Sequence, residues 1–382
     1  MARRSLGTAH TSFAPVPDPV LPPFPSDPPL AADASTPVRM DRLAPKRAPE
    51  ALVDAWSWAQ PIRMTGWVER NQFNPLLAAG LVLVGGFVIF NIIGAIVVGV
   101  GMVGDIMEGG ELSMTPEALL TNHGGLLLGG NTLGQWLGFT LVACLMARWS
   151  TPDWKEFLRI RRPDGVGFLL AGVGWAVFYP LVLWLGEMNT KLPLPESLRE
   201  FDAAQADMVE MLLMGTDLPT WFLFIAVAIT PAICEELIFR GYLQRQVERS
   251  LGMMWSIVLV GVVFGLYHLQ LTKALPLAAL GVYLGFVVWA TGSVWTGTLV
   301  HLLNNGLAVL GVAYVRSQPE MDVEALEGMG LPWYLAAASA VATAAVVYFM
   351  LQRRRALVGE TEDAQPVHVP DPPSLSASPS YV

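Results

Sequence analysis

Acidic and basic side chains stand close together in one otherwise uncharged apolar stretch of this sequence. Glu235, Glu236 and Arg240 follow a run without charge from Leu218 to Ile233. An ionised group at bilayer depth costs roughly 2.5–3.5 kcal/mol even on the mildest insertion scale, so such groups are kept where they have a use. A carboxylate held in apolar surroundings favours its neutral form and is suited to act as a general base. The chemistry that this stretch suggests is therefore proton transfer.

Helical spacing gives the two glutamates different roles. Glu236 and Arg240 are four residues apart and share a helix face, in the order that favours an ion pair. Glu235 points about 100° away from Glu236, because an α-helix has about 3.6 residues per turn. We predict that Arg240 neutralises Glu236 and that Glu235 faces a cavity as the general base. The alternative is a structural ion pair, with the second glutamate near the lipid headgroups.

Two further polar motifs lie in separate apolar stretches. His268 ends an uncharged span, and Phe264 lies one turn earlier, where it can pack on the imidazole or fix its rotamer. His301 and Asn305 are four residues apart and can point into one cavity. Taken alone, each motif is better explained by a structural histidine or by hydrogen bonds between membrane helices.

The motif residues are predicted to lie at similar depths in the membrane. If the chain turns at Gly252, Glu235 lies 17 residues before the turn and His268 lies 16 residues after it. Antiparallel helices with equal rise per residue then carry both side chains to the same depth. His301 lies a few residues inside its own span. The predicted site combines a base for water with imidazole and carboxamide donors for an oxyanion, which suits hydrolysis.

The elements that would position these groups are membrane helices. Of the 382 residues, 53% are hydrophobic and only 14% are charged, and the mean hydropathy is +0.47; a soluble domain usually carries about 25% charged residues. We predict an all-α, polytopic membrane protein with about eight transmembrane helices. The net charge of −9 and the lack of a basic patch argue against a nucleic-acid partner. Cys144 and Cys234 are predicted to be buried free thiols, which excludes a disulfide scaffold.

Eight apolar stretches approach the roughly 20 residues that cross a hydrocarbon core. They are 75–103, 124–147, 166–188, 218–242, 253–271, 275–291, 294–315 and 331–351. Segments before the first and after the second, fourth and eighth are basic, whereas those after the first, third and seventh are acidic, which predicts both termini in the cytoplasm. The sixth has short, nearly neutral connections, so a re-entrant or shortened helix is an alternative there.

Proline-rich and polar segments flank the apolar region. Residues 1–65 are predicted to be a disordered N-terminal tail, because such a composition cannot bury enough apolar surface to offset its ordering entropy. Residues 66–352 form the predicted transmembrane domain. Residues 353–382 begin with a basic stop and continue as a second disordered tail.

Three motifs, in this order and in separate spans, resemble the signature of the CPBP family, the CAAX protease and bacteriocin-processing proteins that are also called the Abi family. The motifs are Glu235-Glu236-x-x-x-Arg240, Phe264-x-x-x-His268 and His301-x-x-x-Asn305, within a motif core at 217–310. The resemblance implies an intramembrane endopeptidase on a CAAX-protease-like helical bundle, in the inner membrane of a bacterium. It implies that Glu235 and His268 activate the attacking water, that His301 and Asn305 stabilise the oxyanion, and that the ion pair braces the helix.

The resemblance leaves the use of a metal cofactor open and indicates only a broad class of substrate. Members of the family have been called metalloproteases, and a glutamate-dependent mechanism without metal is also argued for them. No His-Glu-x-x-His sequence is present and asparagine is an unusual zinc ligand, so a divalent metal such as zinc is the less favoured alternative. By analogy with the family, the expected partners are the lipid bilayer and a membrane-anchored protein or peptide that is cleaved near its C-terminus.

Three other functions stay open from the sequence. A proton-coupled transporter could use the same carboxylates and imidazoles as a relay, although no convincing internal repeat is found. A non-catalytic bacteriocin-immunity or binding protein could retain the family fold. A cysteine protease could pair Cys234 with His268, although an apolar wall disfavours the thiolate.

Overall fold

The structure, a computed structural model, describes residues 51–52, 62–107, 109, 115–214, 217–318 and 330–362. The predicted tails, 1–65 and 353–382, lie mostly outside these ranges. Within them the chain is almost wholly helical. A short antiparallel pair, β1 (Ala51–Leu52) and β2 (Ile62–Arg63), belongs to the end of the predicted N-terminal tail and sets Ala51 opposite Arg63.

The described residues contain the following helical elements, in chain order. The α-helices are α1 (Trp67–Arg70), α2 (Pro75–Met107), α3 (Pro116–Gln135), α4 (Val142–Ser150), α5 (Trp154–Phe157), α6 (Gly165–Thr190), α7 (Glu196–Met214), α8 (Thr220–Leu223), α9 (Thr230–Glu236), α10 (Gln244–Leu251), α11 (Met253–Tyr267), α12 (Ala274–Thr291), α13 (Val294–Arg316) and α14 (Trp333–Glu362). Three π-helical segments join some of them, namely π1 (Trp136–Leu141), π2 (Phe224–Ile229) and π3 (Leu237–Leu243). A short 3-10 turn, Leu271–Lys273, precedes α12.

Six helical spans in the described part of the chain are long and apolar enough to cross a membrane. They are Pro75–Gly104, Gly165–Thr190, Thr220–Leu251, Leu271–Thr291, Val294–Arg316 and Trp333–Leu357. Helix α11 is apolar but has only 15 residues. The prediction of an all-α, polytopic membrane protein is confirmed, with six long spans and one shorter apolar helix where eight similar ones were expected.

Two of the predicted spans differ from the helices of the structure. The stretch 124–147 is helical through α3, π1 and α4, but Asn131, Gln135 and several glycines lower its hydropathy, and it is not among the apolar spans. The stretch 253–271 is helical only to Tyr267, because Leu269 adopts a φ of 56° and ends the helix. Leucine rarely adopts a positive φ, so the sequence alone does not predict this turn.

Close backbone contacts hold α11 against α12. A Cβ on Gly261 would lie 2.6 Å from the backbone nitrogen of Val282, and one on Gly265 would lie 2.6 Å from that of Ala278. Only glycine permits helices to approach so closely, as is common between membrane helices. The crossing fixes the end of α11, which His268 follows, against the first half of α12.

The last helix extends beyond residue 352, where the sequence predicts the end of the transmembrane domain. Helix α14 runs to Glu362, so the basic residues from 353 onward begin within a packed helix. Arg354 stacks on Trp289, with its guanidinium carbon 4.0 Å from the ring centroid. Arg353 pairs with Asp164, which also caps the first turn of α6. The hydrogen bond from Arg353 lowers the pKa of the Asp164 carboxyl below its usual value.

Candidate active site

One continuous helix carries both glutamates of the first motif. Thr220–Leu251 runs through α8, π2, α9, π3 and α10. Glu235 and Glu236 end α9, and every residue of the following π3 is buried. π-Helical segments widen the helical turn locally and are frequent at functional sites.

The ion pair that the spacing predicts is present and fully buried. Arg240 Nη1 donates to Glu236 Oε1 at 2.9 Å, and neither side chain is exposed. Arg240 Nη2 also donates to the carbonyl of Gly281 on α12, at 3.1 Å. The guanidinium carbon lies 4.2 Å from the ring centroid of Phe264, a cation–π geometry. Arg240 therefore neutralises Glu236 and ties three helices together.

His301 contacts the same buried carboxylate. Its Nδ1 lies 3.1 Å from Glu236 Oε1, so a hydrogen on Nδ1 can be donated to the carboxylate. Gly297, one turn earlier on α13, makes room for this contact, since a Cβ there would overlap Glu236 Oε2. Glu236 thus fixes the orientation of the His301 ring and directs Nε2 to the opposite side.

Glu235 lies between the two histidines. Its Oε2 is 4.0 Å from His268 Nε2 and 3.9 Å from His301 Nε2. Both distances exceed that of a direct hydrogen bond. Among the described residues no group hydrogen-bonds to this oxygen, although it is buried. The structure therefore brings the first, second and third motifs to one carboxylate oxygen.

His268 closes the end of α11. Its Nδ1 lies 2.8 Å from the carbonyl oxygen of Phe264; because a carbonyl can only accept, we infer that Nδ1 carries the hydrogen. Nε2 of the neutral ring is then an acceptor that faces Glu235. The Phe264 ring meets His268 and His301 edge to face, with centroids 4.8 and 5.7 Å apart. Phe264 thus separates the two imidazoles and fixes both.

Asn305 is held by a carbonyl of the glutamate-bearing helix. Its Nδ2 donates to the oxygen of Val227 at 3.1 Å, and its Oδ1 accepts from Asn304 at 3.2 Å. In a regular α-helix the N–H of residue 231 would occupy the Val227 carbonyl, but Pro231 has no N–H. The proline therefore leaves an acceptor that Asn305 uses. Its carboxamide nitrogen carries a second hydrogen that this contact does not employ.

Comparison with known families gives the same assignment as the motifs. Residues 217–307 match the family model described as type II CAAX prenyl endopeptidase Rce1-like. Over this segment the chain is similar to the CAAX endopeptidase family. The matched residues include every member of the three motifs. No curated protein and no solved structure matched the chain.

A second set of contacts supports the matched segment from outside it. Asp202 on α7 is buried and accepts hydrogen bonds from the backbone N–H groups of Leu271 and Thr272 and from the Thr272 hydroxyl. Asn189 on α6 donates to the carbonyl of Leu271 at 2.9 Å. These contacts fix the turn that follows His268. Sequence reasoning missed them, because partners about 70 residues apart carry no local signal.

The remaining candidates for chemistry in the matched segment are a metal ion and a thiol. Within the described ranges, no group of three His, Cys, Asp or Glu side chains is arranged to hold a metal ion. Cys234 precedes Glu235, but it is fully buried in the apolar core. Its thiol is therefore not placed to meet a substrate.

Proposed function

We propose that this protein is an intramembrane endopeptidase that hydrolyses a peptide bond of a membrane-associated protein or peptide, near the C-terminus of that substrate. The observation that carries the proposal is the position of Glu235 Oε2, almost equally distant from Nε2 of His268 and of His301. A largely buried carboxylate next to two imidazoles is a base with proton acceptors and donors at hand. The match of residues 217–307 to the CAAX endopeptidase family model supports the same reaction.

The spacing suits a bridging water. A water about 2.8 Å from both Glu235 Oε2 and His268 Nε2 fits between two atoms that are 4.0 Å apart. Because His268 Nδ1 donates to Phe264, its Nε2 can accept from that water. Glu235 then takes a proton from the water as the oxygen attacks the carbonyl carbon, and it returns the proton to the leaving amine.

His301 and Asn305 are the proposed oxyanion donors. Nδ1 of His301 faces Glu236, so a hydrogen on Nε2 requires the imidazolium form. With His301 protonated, the charges of Glu235, Glu236, Arg240 and His301 sum to zero, which suits a low-dielectric interior. The second hydrogen of the Asn305 carboxamide is the other donor. Each oxyanion donor contributes about 100- to 1000-fold to kcat in enzymes where one has been removed.

The family match and the charge pattern support a substrate class and an orientation. The family description names prenylated CAAX substrates, so a prenylated C-terminal peptide is the first to test. The basic segments favour a cytoplasmic position for both termini. We place the protein in a bacterial inner membrane on the resemblance of its motifs to bacterial CPBP proteins.

The function is tested with protein reconstituted in lipid vesicles. The substrates are a farnesylated CAAX peptide and the same peptide without the lipid. We expect cleavage by the wild type, loss of at least about 100-fold in Glu235→Gln, and near-normal cleavage in Cys234→Ser. All three proteins should accumulate equally in the membrane. Retained cleavage in Glu235→Gln would refute the role of Glu235 as the base.

A cellular experiment identifies the natural substrate. Membrane proteins of a deletion strain are compared with those of strains that carry the wild type or Glu235→Gln. Proteins with an unprocessed C-terminus in the deletion and Glu235→Gln strains, but not in the wild type, are the substrates. Identical C-termini in all three strains, together with no cleavage of either peptide, would contradict the proposed function.

A further inference from the structure

Tyr267 carries a buried hydroxyl without a partner. Among the described residues no group hydrogen-bonds to this oxygen. Other buried tyrosines of the protein are paired: the Tyr283 hydroxyl donates to Ala171 O at 2.9 Å, and that of Tyr242 accepts from Gln246. Leaving a buried polar group unpaired destabilises a protein, so such a group calls for an explanation.

Aromatic contacts fix the Tyr267 ring. It meets Phe87, Phe139 and Phe239 edge to face, with centroids 5.3, 5.9 and 5.2 Å apart. Three such neighbours from three different elements leave the ring little freedom. The hydroxyl is therefore held in one place, although no described residue hydrogen-bonds to it.

The Tyr267 ring packs on the helix that carries Glu235. Phe239 follows Glu235 by four residues on the same helix, so the ring packed on Phe239 lies along the face that carries the carboxylate. Tyr267 directly precedes His268 in the chain. Glu235 Oε2 and the Tyr267 hydroxyl both lack a hydrogen-bond partner among the described residues, and Phe239 joins the elements that carry them.

A water held between Glu235 and His268 can accept one further hydrogen bond. Glu235 Oε2 and His268 Nε2 can each accept a hydrogen from a water between them, which accounts for both hydrogens of that water. One lone pair of the water must attack the substrate, and the other can accept a hydrogen bond. Tyr267 carries the O–H group that can make it.

We propose that Tyr267 is a further catalytic residue, whose hydroxyl donates to the attacking water opposite Glu235. As Glu235 removes one proton, the Tyr267 hydroxyl stabilises the negative charge that develops on the water oxygen. The new C–O bond forms as the carbonyl electrons move to the oxyanion. The proton on Glu235 then passes to the nitrogen as the C–N bond breaks, so Tyr267 keeps its own proton throughout. The inference rests on the proposed endopeptidase function.

The experiment compares Tyr267→Phe with the wild type in the vesicle assay. This change removes only the hydroxyl and keeps the three aromatic contacts. We expect kcat to fall about 10- to 100-fold with KM unchanged. The midpoint of thermal unfolding should be unchanged or higher, because an unpaired buried group is lost. Tyr283→Phe is the matched control: it loses a hydrogen bond to Ala171, so its midpoint should fall while its kcat stays at the wild-type value.

Each other outcome has a definite meaning. A wild-type kcat in Tyr267→Phe, with Glu235→Gln inactive, overturns the inference and leaves the endopeptidase function standing. A lower unfolding midpoint in Tyr267→Phe also overturns it, since the hydroxyl then has a structural partner. Cleavage by Glu235→Gln refutes the proposed function itself, and the role of Tyr267 falls with it.

Discussion

Breaking the buried ion pair of the site should destabilise the protein strongly. Arg240→Met leaves the Glu236 carboxylate without its guanidinium in a place where neither side chain is exposed. Removing one partner of a buried pair typically costs about 3–5 kcal/mol, because the remaining charge is uncompensated. Arg240 also donates to Gly281 O and stacks on Phe264. The expected loss is therefore in the upper part of that range.

A double-mutant cycle separates the pair from the other contacts of Arg240. Glu236→Gln removes the buried negative charge, so Arg240→Met in that background should cost less than in the wild type, by about 2–3 kcal/mol. The free energy of unfolding is measured by circular dichroism in micelles with a rising fraction of sodium dodecyl sulfate. Lys191→Met is the control: Lys191 also pairs with a glutamate four residues earlier, Glu187, at 2.7 Å, but these side chains are 60% and 34% exposed. Its effect should be much smaller.

The result that would refute this reasoning is additivity. If Arg240→Met costs the same with and without the Glu236 charge, within about 0.5 kcal/mol, the two groups do not depend on each other. The zero net charge of the proposed catalytic state would then lose its basis.

Three further changes test the surroundings of the site. Gly297→Ala places a Cβ against the Glu236 carboxylate, so kcat should fall at least about tenfold in the vesicle assay. Asp202→Ala frees the turn that follows the first histidine, so kcat should fall by a similar factor with little change in accumulation. Acidification should weaken the Asp164–Arg353 pair, because the pKa of the Asp164 carboxyl is lowered in the folded state. The pair therefore stabilises the protein above about pH 4, the ordinary pKa of an aspartate. This stabilisation is lost as the pH falls through the folded-state pKa. Unfolding midpoints measured against pH check this.

Each of these changes has a matched control. Gly311→Ala lies on the same helix as Gly297, with open space around the added Cβ, and should keep the wild-type kcat. Glu200→Ala removes an exposed carboxylate from α7 and should behave like the wild type, in contrast to Asp202→Ala. Asp164→Asn should lose less stability than the wild type on acidification; an equal loss in both proteins would assign the pH dependence to other groups.

Local spacing predicted part of the site. The i,i+4 spacing placed Arg240 on Glu236, and counting residues from Gly252 predicted the common depth at which Glu235 and His268 lie 4.0 Å apart. Both inferences depend only on helix geometry and on one tight turn. That turn is present, with Gly252 at a φ of 85° between α10 and α11.

Other features of the site arise from packing between helices, which the local sequence pattern does not predict. The contact of His301 with Glu236 joins residues 65 positions apart. The space at Gly297 has meaning only once a carboxylate from another helix fills it. The early end of α11 comes from Leu269, a residue type that does not normally mark a left-handed turn. Catalytic roles for the four motif residues stay predictions until the variants are measured.

Asn305 can hydrogen-bond to the Val227 carbonyl because Pro231 has no backbone N–H group to compete for it. Alanine at 231 would restore the N–H group, which would compete with the carboxamide for the Val227 carbonyl. The helix would become more regular, and Asn305 would lose its hydrogen bond to Val227. Thermal stability and turnover should therefore move in opposite directions at this position, and selection for heat resistance alone would favour a firmer but slower enzyme.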